Sequence, residues 1–220
     1  MAERLIEANG VELCTEAFGD PADSPILLIM GIGASMLWWE DDFCRMLADG
    51  GRFVIRYDHR ISTSPALPVG RQLPGPTEAF GRFVSTAKAD WSDAGSVIDY
   101  LVDYTRVLAG SERWFDEAAV RDLVRRDVER ARDFAAAQNH DFIPDDHRQR
   151  APLPSIAAPT LVIHGTADPM FPLAHGEAVA EEIPRATLLL LAGAGHGLDR
   201  RDWSSAVPAI LEHTAQQRIG

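Results

Sequence analysis

The sequence is short of three things that mark other classes of protein: positive charge, long apolar runs and cysteine. Its 21 Lys and Arg residues are outnumbered by 33 Asp and Glu residues, and the formal net charge is -12. A field of that sign repels nucleic acids and anionic membrane surfaces. The longest aliphatic runs, such as I-L-L-I-M, are far too short to cross a bilayer. We therefore expect neither a nucleic-acid partner nor a membrane partner.

The two cysteines, Cys14 and Cys44, do not have the spacing of a C-x-x-C motif. Isolated thiols of this kind are expected to act as small core residues. The opening M-A-E-R-L-I-E-A-N-G carries charged residues where a signal peptide has an uninterrupted apolar core. These observations predict a cytoplasmic protein.

The N-terminal part alternates strand and helix signals. Residues 3–8 and 11–18 predict a β-hairpin. The run at 26–30 is apolar at every position, which predicts a central strand of a parallel sheet with both faces covered. Residues 36–49 have the period of an amphipathic helix. A further strand is predicted at 52–57.

From residue 61 to about 158 the strand signal gives way to helices, after a loop rich in proline. Ser92 and Ser111 are predicted to cap two of these helices. We interpret this stretch as a helical subdomain. Alternation of strand and helix returns at Pro159 with T-L-V-I-H-G, a helix over about 172–183 and the strand A-T-L-L-L-L-A.

Two candidate catalytic residues follow the C-terminal strands. Asp168 and His196 each come just beyond the end of a strand, and the carboxyl ends of parallel strands open onto one crevice. An aspartate there can accept the Nδ1 proton of an imidazole and leave Nε2 as a base. His164, Asp168 and His196 together also allow a second hypothesis, a metal site of two histidines and one carboxylate.

The chain resembles the α/β-hydrolase family, and more narrowly the esterases similar to aclacinomycin methylesterase. The resemblance rests on V-E-L-C-T-E-A-F-G-D-P-A-D, L-L-I-M-G, V-I-R-Y-D-H-R, P-T-L-V-I-H-G-T-A-D-P and G-A-G-H-G. It implies an α/β fold with a mostly parallel, doubly wound sheet and a helical lid. It divides the chain into residues 1–60, the N-terminal part of the hydrolase core, 61–158, the lid, and 159–220, the C-terminal part of the core with the acid and the histidine.

The resemblance also implies roles for individual residues. Asp168 would be the acid of a catalytic triad and His196 the general base, while the backbone N–H of Ile32 would contribute to the oxyanion hole. The implied activity is cleavage of a carboxylic ester of a small apolar molecule by a Ser–Asp–His mechanism. No cofactor or metal is then required.

The triad nucleophile is missing. Between the positions of Arg60 and Ile61, family members carry a helix, a strand, the G-x-S-x-G elbow, another helix and another strand, on the order of 60 residues. The nearest imitation is Ser35 in G-A-S-M, but Leu37 replaces the next elbow glycine. Ser35 is better interpreted as the N-cap of the following helix. A non-catalytic, ligand-binding α/β-hydrolase-like protein, which needs no elbow, is the alternative hypothesis.

The missing segment also has a structural consequence. Its strands would lie at the centre of the sheet, so their loss leaves two parallel strands with an unpaired edge and uncovers I-L-L-I-M. Either these edges pair with each other, another chain supplies strands, as in a homo-oligomer, or the 220 residues lack a segment that the whole protein contains. We favour the last of these explanations.

Overall fold

The computed structural model describes residues 3–8, 10–31, 34–58, 72–136 and 152–215. Ile32, Arg60 and Ile61 lie outside these ranges, and so does the junction at which the elbow segment is missing. The chain divides into two compact units. The first consists of residues 1–64 with 133–143, and the second of residues 65–132 with 144–220.

The first unit contains a four-stranded sheet in the order β1-β2-β4-β3. Its strands are β1 (Arg4–Ala8), β2 (Val11–Phe18), β3 (Ser24–Leu28) and β4 (Arg52–Tyr57). The antiparallel pairing of β1 with β2 confirms the predicted hairpin. β2 and β4 are also antiparallel, whereas β3 runs parallel to β4.

The apolar run on β3 is partly exposed, as predicted for a sheet without its central strands. Among the described strands, β3 pairs with β4 alone, so it forms the edge of its sheet. Leu27 is 55% exposed and Ile29, just after the strand, is 48% exposed. The expectation that both faces are covered is therefore wrong here. On its open side β3 lacks the neighbouring strand whose side chains would pack beside its own.

The predicted helix over 36–49 is divided into two. A 3₁₀ turn, Met36–Trp38, comes first, and helix α1, Asp41–Asp49, follows it. Ser35 caps the 3₁₀ turn, since its Oγ accepts a hydrogen bond from the backbone N–H of Leu37 at 3.2 Å. The apolar period continues through both pieces and does not reveal the break. Phe43 on α1 is 2% exposed and belongs to the core of this unit.

A buried arginine connects α1 to the sheet. Arg56 on β4 is 2% exposed, and its guanidinium pairs with Glu16 on β2 at 2.5 Å and with Asp41 at the start of α1 at 2.6 Å. It also donates a hydrogen bond to the backbone carbonyl of Trp39. Burial opposes the charge, but the hydrogen bonds to the two carboxylates outweigh it and raise the pKa of Arg56 above its ordinary value.

The second unit contains a two-stranded parallel sheet and helices. The strands are β5 (Thr160–Gly165) and β6 (Ala186–Leu191), and both confirm predicted strands. The helices are α2 (Glu78–Thr86), α3 (Ala94–Leu108), α4 (Glu117–Arg130), α5 (Ala174–Glu182) and α6 (Trp203–Ala215). None of the described helices combines the length and the apolar composition that crossing a bilayer requires.

The described strands thus form two sheets, in which the parallel strand β3 and both strands of the β5–β6 pair are bonded on one side only. Unpaired parallel edges of this kind are what the sequence predicts when the central strands are missing. The helices of the predicted lid lie in the same compact unit as β5 and β6. The predicted α/β class is confirmed.

Both predicted caps of the helical part are wrong by a few residues. α3 begins after Asp93, whose carboxylate accepts a hydrogen bond from the N–H of Gly95 at 3.0 Å. The hydroxyl of Ser92 is instead bonded to Asp90 at 2.6 Å. α4 begins after Asp116 rather than after Ser111. A carboxylate in the same short loop replaces the predicted hydroxyl in each case, because either group can accept from a first-turn N–H.

Candidate active site

The candidate site lies beyond the carboxyl ends of β5 and β6. Asp168 is in the loop after β5, and His196 is in the loop after β6. The two strands are parallel neighbours, so both loops leave the sheet at the same edge. A backbone hydrogen bond of 2.9 Å, from the N–H of Ala167 to the carbonyl of Ala194, ties the loops together.

The structure brings Asp168 and His196 into direct contact. Nδ1 of His196 lies 2.8 Å from Oδ2 of Asp168. The other carboxylate oxygen, Oδ1, accepts hydrogen bonds from the backbone N–H groups of Met170 and Phe171, both at 2.8 Å. Because a carboxylate only accepts, Nδ1 of His196 carries the proton and Nε2 is the basic nitrogen.

The two side chains differ in exposure. That of Asp168 is 3% exposed, and that of His196 is 38% exposed. Burial alone would raise the pKa of Asp168, but the hydrogen bonds from His196 and from the Phe171 and Met170 N–H groups outweigh it and hold the pKa below its ordinary value. Asp168 is therefore ionised at neutral pH. In the described part of the chain no group is hydrogen-bonded to Nε2 of His196, which leaves this nitrogen for a reacting group.

His164 supports the loop of Asp168. Its Nε2 lies 2.9 Å from the backbone carbonyl oxygen of Phe171 and 3.9 Å from Oδ2 of Asp168. A carbonyl oxygen only accepts, so this Nε2 carries a proton and does not offer a lone pair to a metal. The described residues also contain no group of three His, Cys, Asp or Glu side chains that could hold a metal ion. The geometry thus gives no support to the two-histidine, one-carboxylate hypothesis.

Sequence reasoning missed Phe171. Its ring contacts two imidazoles, with centroid distances of 5.6 Å to His196 and 5.5 Å to His175. Its backbone N–H and carbonyl bind Asp168 and His164, as described above. The available signal was its position: it is an aromatic residue in the same short loop as the candidate acid.

The other predicted site residues are not part of this pair. Ser35 belongs to the first unit, whereas Asp168 and His196 belong to the second. Its hydroxyl oxygen serves as the cap already described. The backbone N–H predicted for the oxyanion hole is that of Ile32, which lies outside the described residues. Within the described ranges no serine hydroxyl is hydrogen-bonded to His196.

Comparison with known proteins gives partial sequence matches. A family model of α/β-hydrolase domains, described as TAP-like protein, matches residues 130–213, which include Asp168 and His196. The rhodomycin D methylesterase of Streptomyces sp. strain C5 is 52% identical over 60 residues, which make up 27% of this chain and 20% of the methylesterase. The match thus spans about a fifth of the length of that relative.

Solved structures match over nearly the whole chain. An esterase from Rhodococcus sp. ECU1013 superimposes with a TM-score of 0.62 and 18% identity, covering 96% of this chain and 99% of that one. The 2-hydroxy-6-oxo-6-phenylhexa-2,4-dienoate hydrolase of Rhodococcus sp. strain RHA1 gives a TM-score of 0.66 and 14% identity, covering 97% and 100%. The chain has the α/β-hydrolase fold. Within this α/β-hydrolase fold, Asp168 and His196 follow neighbouring parallel strands, where the fold binds its ligands.

Proposed function

We propose that the chain is the part of a carboxylic ester hydrolase that carries its acid and its base, in a Ser–Asp–His mechanism. One observation carries the proposal: the 2.8 Å hydrogen bond between His196 Nδ1 and a buried, ionised Asp168. The partial similarity to a methylesterase supports the reaction class. So does the likeness of fold to an esterase.

The pair has the geometry that acyl transfer requires. Nε2 of His196 takes the proton of a serine hydroxyl as the serine oxygen attacks the ester carbonyl. Asp168 stays ionised and stabilises the imidazolium, which then donates its proton to the leaving alcohol. A water molecule then attacks the acyl-enzyme in the same way, with His196 taking its proton, and the carboxylic acid product is released as the serine regains its proton. The oxyanion is stabilised by backbone N–H groups, of which we propose that Ile32 supplies one.

The serine of this mechanism belongs to the elbow segment that the chain lacks. Without it, the described residues hold the proposed acid and base with no serine hydroxyl bonded to His196. We therefore expect no serine-dependent turnover from this chain alone. The second candidate function, non-catalytic ligand binding, is favoured by the same observation that no described serine is hydrogen-bonded to His196.

We propose a methyl ester of an aromatic polyketide as the substrate class, since the matched relative is named a rhodomycin D methylesterase. The proposed mechanism requires no cofactor. The helical part, which we propose as the lid, has a half-buried aromatic cluster of Phe83, Tyr100 and Tyr104, with ring centroids 5.5 to 6.3 Å apart. A cytoplasmic location and the pairing of exposed sheet edges between two copies remain predictions.

The test compares the chain with a complemented form in which the elbow segment of the methylesterase is inserted between Arg60 and Ile61. Both are assayed with a p-nitrophenyl ester and an aromatic methyl ester, and both are treated with a fluorophosphonate probe. We expect labelling and turnover in the complemented form alone.

His196→Ala should abolish that turnover while circular dichroism still shows a folded chain, whereas His213→Ala, on α6, should keep the turnover. Full activity of the complemented form with His196→Ala would refute the assignment. Binding of the methyl ester by the complemented form without cleavage, measured by calorimetry, would support the ligand-binding alternative.

A further inference from the structure

The C-terminal turn of α3 lies directly against the loop of His196. The backbone carbonyl oxygen of Leu108, the last residue of α3, accepts a hydrogen bond of 2.7 Å from the backbone N–H of His196. The carbonyls at the end of a helix have no partner within the helix. The loop of His196 thus provides one for Leu108.

Gly195 makes this contact possible. A β-carbon at residue 195 would lie 2.1 Å from the carbonyl oxygen of Leu108 and 2.4 Å from the carbonyl carbon of Ala109. Both are backbone atoms, which cannot rotate away as the end of a side chain can. Any other residue at this position therefore forces the helix end and the loop of His196 apart.

The hydrogen bond to Leu108 affects the imidazole because it fixes His196 at a second point. Asp168 holds the ring at Nδ1, and a single hydrogen bond allows the ring to pivot about it. The bond to Leu108 holds the main chain from which the ring projects. The turn therefore contributes to the position of the imidazole.

We propose that the C-terminal turn of α3 is a positioning element for His196 and that Gly195 is the positioning residue that admits it. An effect of this positioning on catalysis rests on the proposed function. The consequence is that α3, which belongs to the proposed lid, is at this end a fixed part of the acid–base site. Its last turn cannot lift away without releasing the backbone of the histidine.

The first test uses proton NMR of the full 220-residue chain. A proton shared between Nδ1 of His196 and Asp168 gives a downfield resonance, which Asp168→Asn identifies by removing it. We expect Gly195→Ala to shift or broaden this resonance beyond detection while circular dichroism shows a folded chain. The matched control is Gly81→Ala on α2, since a β-carbon there meets no atom within 4 Å. This control should leave the resonance unchanged.

The second test covers the case in which Gly195→Ala does not fold. Hydrogen exchange of the His196 backbone N–H is measured in the unaltered chain, where we expect protection well above that of exposed loop amides. An unchanged resonance in folded Gly195→Ala, or unprotected exchange at His196, would overturn the proposal. Neither readout needs turnover, so failure of the ester-cleavage test and failure of this proposal are distinguishable.

Discussion

The imidazole ring of His164 lies where Gly176 would carry a β-carbon. A β-carbon at 176 would be 2.5 Å from Cγ and 2.9 Å from Cδ2 of His164. Since the same ring donates a hydrogen bond to the carbonyl of Phe171, the absence of a side chain on α5 leaves room for the residue that supports the loop of Asp168.

We expect Gly176→Ala to lower the free energy of unfolding by about 1–3 kcal/mol, the usual cost of adding a methyl group to a filled space. Urea denaturation followed by circular dichroism measures the change. Gly81→Ala is the control: this exposed glycine is inside α2, and alanine there should stabilise by about 0.5–1 kcal/mol. Equal stability of the two variants would contradict the crowding at His164.

The lowered pKa of Asp168 leads us to expect a smaller free energy of unfolding in acid. Its pKa is lower in the folded chain than the ordinary value of about 3.9, so the unfolded chain takes up the proton first as the pH falls. The stabilisation is therefore complete above that ordinary value and disappears as the pH falls through the lowered, folded value. The difference in unfolding free energy between the unaltered chain and Asp168→Asn should shrink between pH 6 and pH 3. A difference that is constant with pH would argue against an ionised, hydrogen-bonded Asp168.

Arg56 and Arg82 test how burial changes the contribution of an ion pair. Arg56→Ala leaves the largely buried Glu16 without its cation, whereas Asp41 keeps Arg45 at 3.0 Å, and breaking a buried pair in this way costs about 3–5 kcal/mol. Arg82 pairs with Glu78 at 2.5 Å, but the two side chains are 69% and 86% exposed. Arg82→Ala should therefore cost less than about 1 kcal/mol. Chemical denaturation should separate the two variants clearly, and similar losses would contradict the role of Arg56.

The two cysteines should differ in reactivity. Burial is the main cause that raises the pKa of Cys44 to about 11, and its side chain is fully enclosed. Because the thiolate is the reactive form, Cys44 should resist a thiol reagent at neutral pH until the chain unfolds. Cys14 is partly exposed and should react first. Titration of the native chain should show one fast thiol, and a Cys14→Ser variant should show none.

The strands could be predicted from the sequence because they depend on the pattern of residues that are near each other in the chain. The hairpin of β1 and β2 follows from alternating residues on either side of a turn. The contact of Asp168 with His196 follows from two successive strands that run parallel, since such strands end at one edge. Motif and topology together were enough to place the two side chains near each other.

Features that depend on the packing of distant parts of the chain could not be predicted from the sequence. The break between Met36–Trp38 and α1 leaves the apolar period intact, so no pattern marks it. The hydrogen bond between Leu108 and His196 joins a helix end to a distant loop. Only the fold brings them together.

Asp168 and His196 both come from the second unit, and their hydrogen bonds to described side-chain and backbone groups lie within that unit. In evolution the pair can therefore be retained as a unit. Gain or loss of the segment that carries the nucleophile would leave the pair assembled and its proton in place. Under the proposed mechanism, a single insertion or deletion upstream of the pair would switch hydrolysis on or off without any change to the pair itself.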